Sequence, residues 1–127
     1  MEQAILCARA ADEKKARDLV ILDLRKLSYI TDFFVVATAG NPRQLRAVCD
    51  EIERAMHAVN ARPIGREGGE ESGWMLVDYG DLVVHVFDAE RRKYYDLDLL
   101  WGDTPRIEWQ VPNAHGGGKV ESEARTR

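Results

Sequence analysis

The sequence predicts an α/β (α+β) protein, a single domain in which helices pack on a mixed five-stranded β-sheet. Three observations carry that prediction. Apolar residues recur at helical spacing in separate segments, and short runs of strand formers lie between them in the order α-β-β-α-β-β-β-α. A chain of 127 residues is also the size of one domain, able to bury a core without disulfide or metal staples. Hydrophobic residues make up 45% and charged residues 31%, the balance of a soluble globular protein.

Each element has its own signature. Met1, Ala4, Ile5, Ala8 and Ala11 form one stripe and predict a first helix from Met1 to about Arg17. Leu19–Leu24 (LVILDL) and Thr31–Ala39 (TDFFVVATA) read as strands, the second apolar nearly throughout and therefore central. Asn41-Pro42-Arg43-Gln44 supplies an N-cap, a proline at the first helical position and a glutamine three residues after the cap. Behind it Leu45, Val48, Cys49, Ile52, Met56 and Val59 recur at helical steps, while Arg43, Arg46, Glu53 and Arg54 take the other side. Arg62–Arg66 reads as a short strand, ended by a loop from Gly65 to Gly73. Asp88–Trp101 predicts a last helix capped by Asp88, with Tyr94, Leu97 and Trp101 along one side. From about Gln110 the chain is polar, glycine-rich and aperiodic. Residues 1–109 are thus expected to form the domain and 110–127 a disordered tail.

Between the loop and the last helix lies Gly73–Phe87, GWMLVDYGDLVVHVF, which predicts a hairpin turning at Gly80–Asp81. A two-residue turn there pairs Tyr79 with Leu82, Leu76 with His85 and Trp74 with Phe87. Alternation then sorts the side chains into two faces. Met75, Val77, Tyr79, Leu82, Val84 and Val86 form an uninterrupted apolar set, the core side. Trp74, Leu76, Asp78, Val83, His85 and Phe87 form a mixed set. Either a helix covers that second face and His85 is hydrogen-bonded to a neighbour, or its Trp74 end is open and docks a partner.

Charge narrows the choice of partner. From Pro63 to Asp81 one basic residue, Arg66, faces five acids (Glu67, Glu70, Glu71, Asp78 and Asp81), a balance equal to the −4 of the whole chain. Such a segment repels phosphate backbones and attracts a basic protein, so extensive direct nucleic-acid contact is not expected. The N-terminus lacks a basic, then apolar, signal pattern, and no run is apolar enough to span a membrane; a cytoplasmic protein is expected. Cys7 and Cys49 have no partner at metal-ligand spacing and are expected as buried free thiols.

An acid–base or metal site would have to use Asp78, Asp81 and His85. Asp78 and His85 share a face without being directly opposite, and Asp81 is in the turn. The sequence has no phosphate-cradling GxxxxGK[ST] or GxGxxG, and Gly65, Gly68, Gly69 and Gly73 lie in a loop of the wrong charge for phosphate. His57 falls on the polar side of its helix. No catalytic residue, metal ligand or cofactor site is expected.

Several motifs in series resemble the ribosomal silencing factor family, also called RsfS or Iojap-like. They are Ile30-Thr31-Asp32-Phe33-Phe34-Val35-Val36 with Thr38, then Glu67-Gly68, then Trp74-x-Leu76-x-Asp78-Tyr79-Gly80-Asp81 with Val84-His85-Val86-Phe87. Arg92, Tyr95, Leu97 and Leu99-Leu100-Trp101 complete the series. The match spans about Leu19 to Gly102; Asn41-Pro42, where serines are commoner, and the polar extension past Trp109 depart from it. The resemblance implies a nucleotidyltransferase-like topology without catalytic apparatus. It further implies binding to the large ribosomal subunit through the basic ribosomal protein L-fourteen, a steric block to small-subunit joining, lowered translation under nutrient limitation, and homodimers. Trp74 and Leu76 would then be the apolar anchor, with Asp78, Glu70 and Glu71 as charges. Tyr79, or the Tyr94–Leu99 region, would complete the patch, although alternation places Tyr79 on the core face. The competing reading is a nucleotidyltransferase-like, nucleotide-binding enzyme.

Overall fold

The computed structural model describes residues 1–95 and 102–110. Its elements are α1 (Glu2–Glu13), β1 (Arg17–Asp23), β2 (Phe33–Ala39), α2 (Pro42–Ala58), β3 (Gly65–Gly69), β4 (Trp74–Asp78), β5 (Leu82–Asp88) and α3 (Ala89–Tyr95), with a 3₁₀ turn at Glu70–Ser72. This is the predicted element order. The five strands form one sheet in the order β1-β2-β5-β4-β3. Only β2 and β5 run parallel; the other neighbours are antiparallel.

α1 and α2 pack side by side on one face of the sheet and make the core. Most of the stripes read from sequence do the work: Ala4, Ala8 and Ala11 from α1, joined by Cys7, and Leu45, Val48, Cys49, Ile52 and Met56 from α2, meet Ile21, Val35, Ala37, Val77, Val84 and Val86, whereas Met1 and Val59, just outside the ends of their helices, are exposed. Small residues on α1 let it approach α2 closely. Both cysteines are buried free thiols, and desolvation pushes each up to about 12.

Caps fix the helix ends. Asn41 Oδ1 accepts from the Gln44 N–H at 2.8 Å, the predicted cap. The Gln44 side-chain amide in turn donates to the carbonyls of Lys14 and Lys15, at 3.0 Å each, which ties the start of α2 to the end of α1. α1 ends at Glu13, short of Arg17, because Lys15 takes a left-handed φ of 68° and the Lys14, Lys15 and Ala16 amides fold back onto Ala11 and Asp12. α3 starts at Ala89 behind the predicted cap, Asp88 Oδ1 accepting from the Arg91 N–H at 2.7 Å; the remainder of the predicted helix to Trp101 lies outside the described residues.

One strand was misplaced by sequence reasoning. The strand expected at Arg62–Arg66 is at Gly65–Gly69, inside the segment read as a loop. Three of its five residues are glycine, so local propensity argues against a strand; the ladder with β4 supplies what the propensity lacks. At the opposite edge residues 105–107 lie along β1, where Asp23 N–H donates to Pro105 O at 2.8 Å and Ile107 N–H to Ile21 O at 3.0 Å. Among the described residues no helix is long and apolar enough to cross a membrane.

Candidate docking face

The hairpin has the register that the turn dictated. Trp74 pairs with Phe87, Leu76 with His85 and Asp78 with Val83, and the Tyr79 N–H donates to Leu82 O at 2.9 Å. Gly80 takes a φ of 89° while Asp81 does not leave the ordinary region, as a turn with glycine in its first central position requires.

Adding the neighbours turns the mixed face into three rows. Thr38, Phe87, Trp74 and Gly69 form one; Val36, His85, Leu76 and Glu67 the second; Phe34, Val83, Asp78 and Gly65 the third. Burial falls along the first two rows, while in the third Phe34, Val83 and Asp78 are all half-buried. Val36, Thr38 and Phe87 are buried, Trp74, Leu76, Asp78, Val83 and His85 are half-buried, and Glu67 is exposed. The cause is α3, which packs back on β5 and β2. Its buried Arg92 donates to Thr38 Oγ1 at 2.8 Å, closing the Phe87 corner. Among the described residues a helix thus covers one end of the face, while Trp74, Leu76 and Asp78 on β4 are half-buried.

His85 is not hydrogen-bonded as the covered reading expects, for its buried Nε2 has no partner. Its ring instead meets Phe34 edge-on at 4.6 Å and stacks on Phe87 at 5.9 Å. Desolvation pulls its pKa down to about 4, so the ring is neutral near pH 7 and packs as an aromatic. Asp78 is engaged elsewhere: its Oδ1 accepts from the Gly80 N–H at 2.8 Å and braces the turn. Among the described residues no group of three or more His, Cys, Asp or Glu side chains is placed to hold a metal ion.

The structure sorts the residues singled out by sequence. Trp74, Leu76 and Asp78 share one half-buried face of β4. Tyr79 does not join them; it packs against the core under the helices, its buried Oη without a partner and its pKa raised by burial. Glu70 leans the other way, toward α2, where Arg46 approaches it at 3.3 Å. Glu71 is exposed in the 3₁₀ turn beside the start of β4. The Tyr94 side chain and Leu99 lie outside the described residues. Sequence reasoning missed Phe34 and Glu67 as members of the face. Phe34 arrives through the parallel β2–β5 pairing, which leaves no local signal, whereas parity would have placed Glu67 opposite Leu76 had β3 been read as a strand.

Comparison with known proteins bears on what such a face meets. A family model described as "Ribosomal silencing factor during starvation" matches residues 1–127. The chain is 38% identical over 103 residues to "Ribosomal silencing factor RsfS" of Halalkalibacterium halodurans, covering 81% of this chain and 88% of that protein. It is 27% identical over 92 residues to "Mitochondrial assembly of ribosomal large subunit protein 1" of Mus musculus, covering 70% of this chain and 40% of that protein. An X-ray crystal structure of a protein from Chromobacterium violaceum is similar with a TM-score of 0.76 and 34% identity, covering 89% of this chain and 93% of that one.

Proposed function

The chain belongs to the ribosomal silencing factor family, and from that premise we propose that it represses translation by occupying a surface and not by catalysis. Its partner is the large ribosomal subunit, engaged through the basic ribosomal protein L-fourteen. With that site filled the small subunit cannot join, and translation falls when nutrients are limiting. The protein acts in the cytoplasm as a homodimer, and residues 1–109 form the docking domain.

The observation that carries this reading is the strip on β4. Trp74 and Leu76 stand half-buried, too apolar for an idle surface, and Glu67 and Asp78 flank them on the same face. A basic protein with an apolar contact point fits that chemistry. Glu71 adds charge at the end of the strip. Glu70 can also exchange its partner, because its contact with Arg46 is exposed and an exposed pair holds weakly. Tyr79 acts from beneath, as support for the turn, and Tyr94 and Leu99 are proposed as further contact residues on the resemblance alone. A relative named for assembly of the ribosomal large subunit supports the choice of subunit.

Co-sedimentation tests the reading. The protein should pellet with isolated large subunits and not with small ones, and Trp74→Ala should stay in the supernatant. Equal pelleting of the two proteins would remove the strip from the docking site.

A further inference from the structure

Charge is sorted across the sheet. From Lys14 to Arg46 there are seven basic residues and three acids, a surplus of four that mirrors the acidic excess from Pro63 to Asp81. The strand order sets the basic stretch toward the β1 edge and the acidic one toward the β3 edge.

The basic stretch converges at one corner, where α1 ends, β1 begins and α2 starts. Gln44 holds that corner together. Its side-chain amide donates to the carbonyls of Lys14 and Lys15, and its Oε1 accepts from the Gly40 N–H. Arg17 lies over the same turn, for a Cβ on Gly40 would come 3.6 Å from its Nη2. Arg43 stands next to Gln44 in the first turn of α2. Lys14 is near Glu51, and Arg46 pairs with Asp50 and Glu70. Lys15, Arg17 and Arg43 are exposed, and among the described residues none of the three makes an ion pair.

Three cations fixed together without an acid repel one another, and an anion from outside relieves that repulsion. Their placement says which anion. Arg17 pairs with Thr38, Thr38 with Phe87 and Phe87 with Trp74, so Arg17 continues the row that carries the docking tryptophan. Three strand spacings, roughly 14 Å, separate the two. A body that receives Trp74 therefore reaches the basic corner as well, and on the large subunit RNA surrounds each protein. We infer that Lys15, Arg17 and Arg43 bind backbone phosphates of ribosomal RNA beside the protein dock. The contact is local and carries no sequence preference, because it meets phosphate and not base edges. The inference rests on the large-subunit reading above and adds RNA as a second ligand on the same particle. The acidic segment stays on the basic protein, so each edge of the sheet meets the opposite sign.

Binding isotherms with isolated large subunits and with isolated ribosomal protein L-fourteen separate the two contacts. Lys15→Gln, Arg17→Gln and Arg43→Gln combined should raise the dissociation constant for the subunit about tenfold or more and leave that for the isolated protein unchanged. Each lost phosphate contact should also make the logarithmic salt dependence shallower by about 0.7–0.9. Arg17→Lys with Arg43→Lys keeps the charge and should bind subunits as the wild type does. In hydroxyl-radical footprinting of the subunit, the wild-type protein should protect RNA backbone that the triple variant, at saturation, leaves exposed. Unchanged subunit affinity in the triple variant, or wild-type binding without RNA protection, overturns the inference and leaves the protein dock standing. Equal weakening on the isolated protein also overturns it and gives the corner to the protein dock. A wild-type chain that binds no large subunits overturns the large-subunit reading, and the inference with it.

Discussion

At Trp74 the indole lies half-buried against β3, close enough that a Cβ on Gly68 would sit 3.0 Å from its Cε3. Removing it therefore opens less cavity than removing a core tryptophan, which costs about 3–5 kcal/mol. Trp74→Ala should lower the unfolding free energy by less than that, while weakening large-subunit binding by about 2 kcal/mol or more. Melting curves and binding isotherms of one variant read the two terms separately. Asp78 has two tasks, bracing the turn and carrying charge. Asp78→Asn keeps an oxygen for the Gly80 N–H and removes the charge, so stability should hold while binding weakens. His85 supplies a pH test. The unfolded chain's histidine takes a proton near pH 6.5 and the folded one resists until about 4, so the unfolded state binds more protons in between. Stability should be level above pH 6.5 and then fall toward pH 4, by up to about 1.4 kcal/mol per pH unit from this residue. His85→Phe should flatten that part of the wild-type profile, and an identical slope in both proteins would mean that the ring is solvated. At this scale the sequence was informative about neighbours along a strand: Trp74, Leu76 and Asp78 share a face by alternation alone, and Tyr79 was already on the wrong side. It was silent about Phe34 beside His85, a contact that depends on which strand β5 pairs with.

Among the elements, β3 shows where propensity misleads. A segment reading Gly-Arg-Glu-Gly-Gly has every local mark of a loop, yet it is paired along its length with β4. One of its three glycines is there for fit as well as freedom. Gly68 has a φ of 85°, and a Cβ on it would come within 2.2 Å of the Trp74 carbonyl oxygen. Gly68→Ala should destabilise by about 1–2 kcal/mol or more from the backbone conformation alone. It should also disturb binding, since the clash falls on the backbone of Trp74 in the neighbouring strand β4. Urea denaturation and the binding assay check both effects; a variant as stable as the wild type would show that β3 has room to relax. α2 is the contrasting case. Its cap, its proline and its apolar steps are local, so its start was legible to the residue, and Asn41→Ala should cost about 1 kcal/mol.

For the whole molecule the governing feature is the uneven charge. One segment holds the entire −4 balance, and the fold delivers it to the side of the sheet where β3 and β4 lie. A dock built partly on that charge should weaken as salt rises, since charges near the rim are screened within about 10 Å at 0.1 M ionic strength. Salt-independent binding would leave the apolar strip as the only contact. The most direct test of the account is subunit joining, followed by sucrose-gradient sedimentation of purified large and small subunits. Preincubating large subunits with the protein should reduce the joined peak and leave both free subunits in excess, and Trp74→Ala should let joining proceed. Joining that proceeds unhindered while the protein remains bound to the large subunit would contradict the steric mechanism.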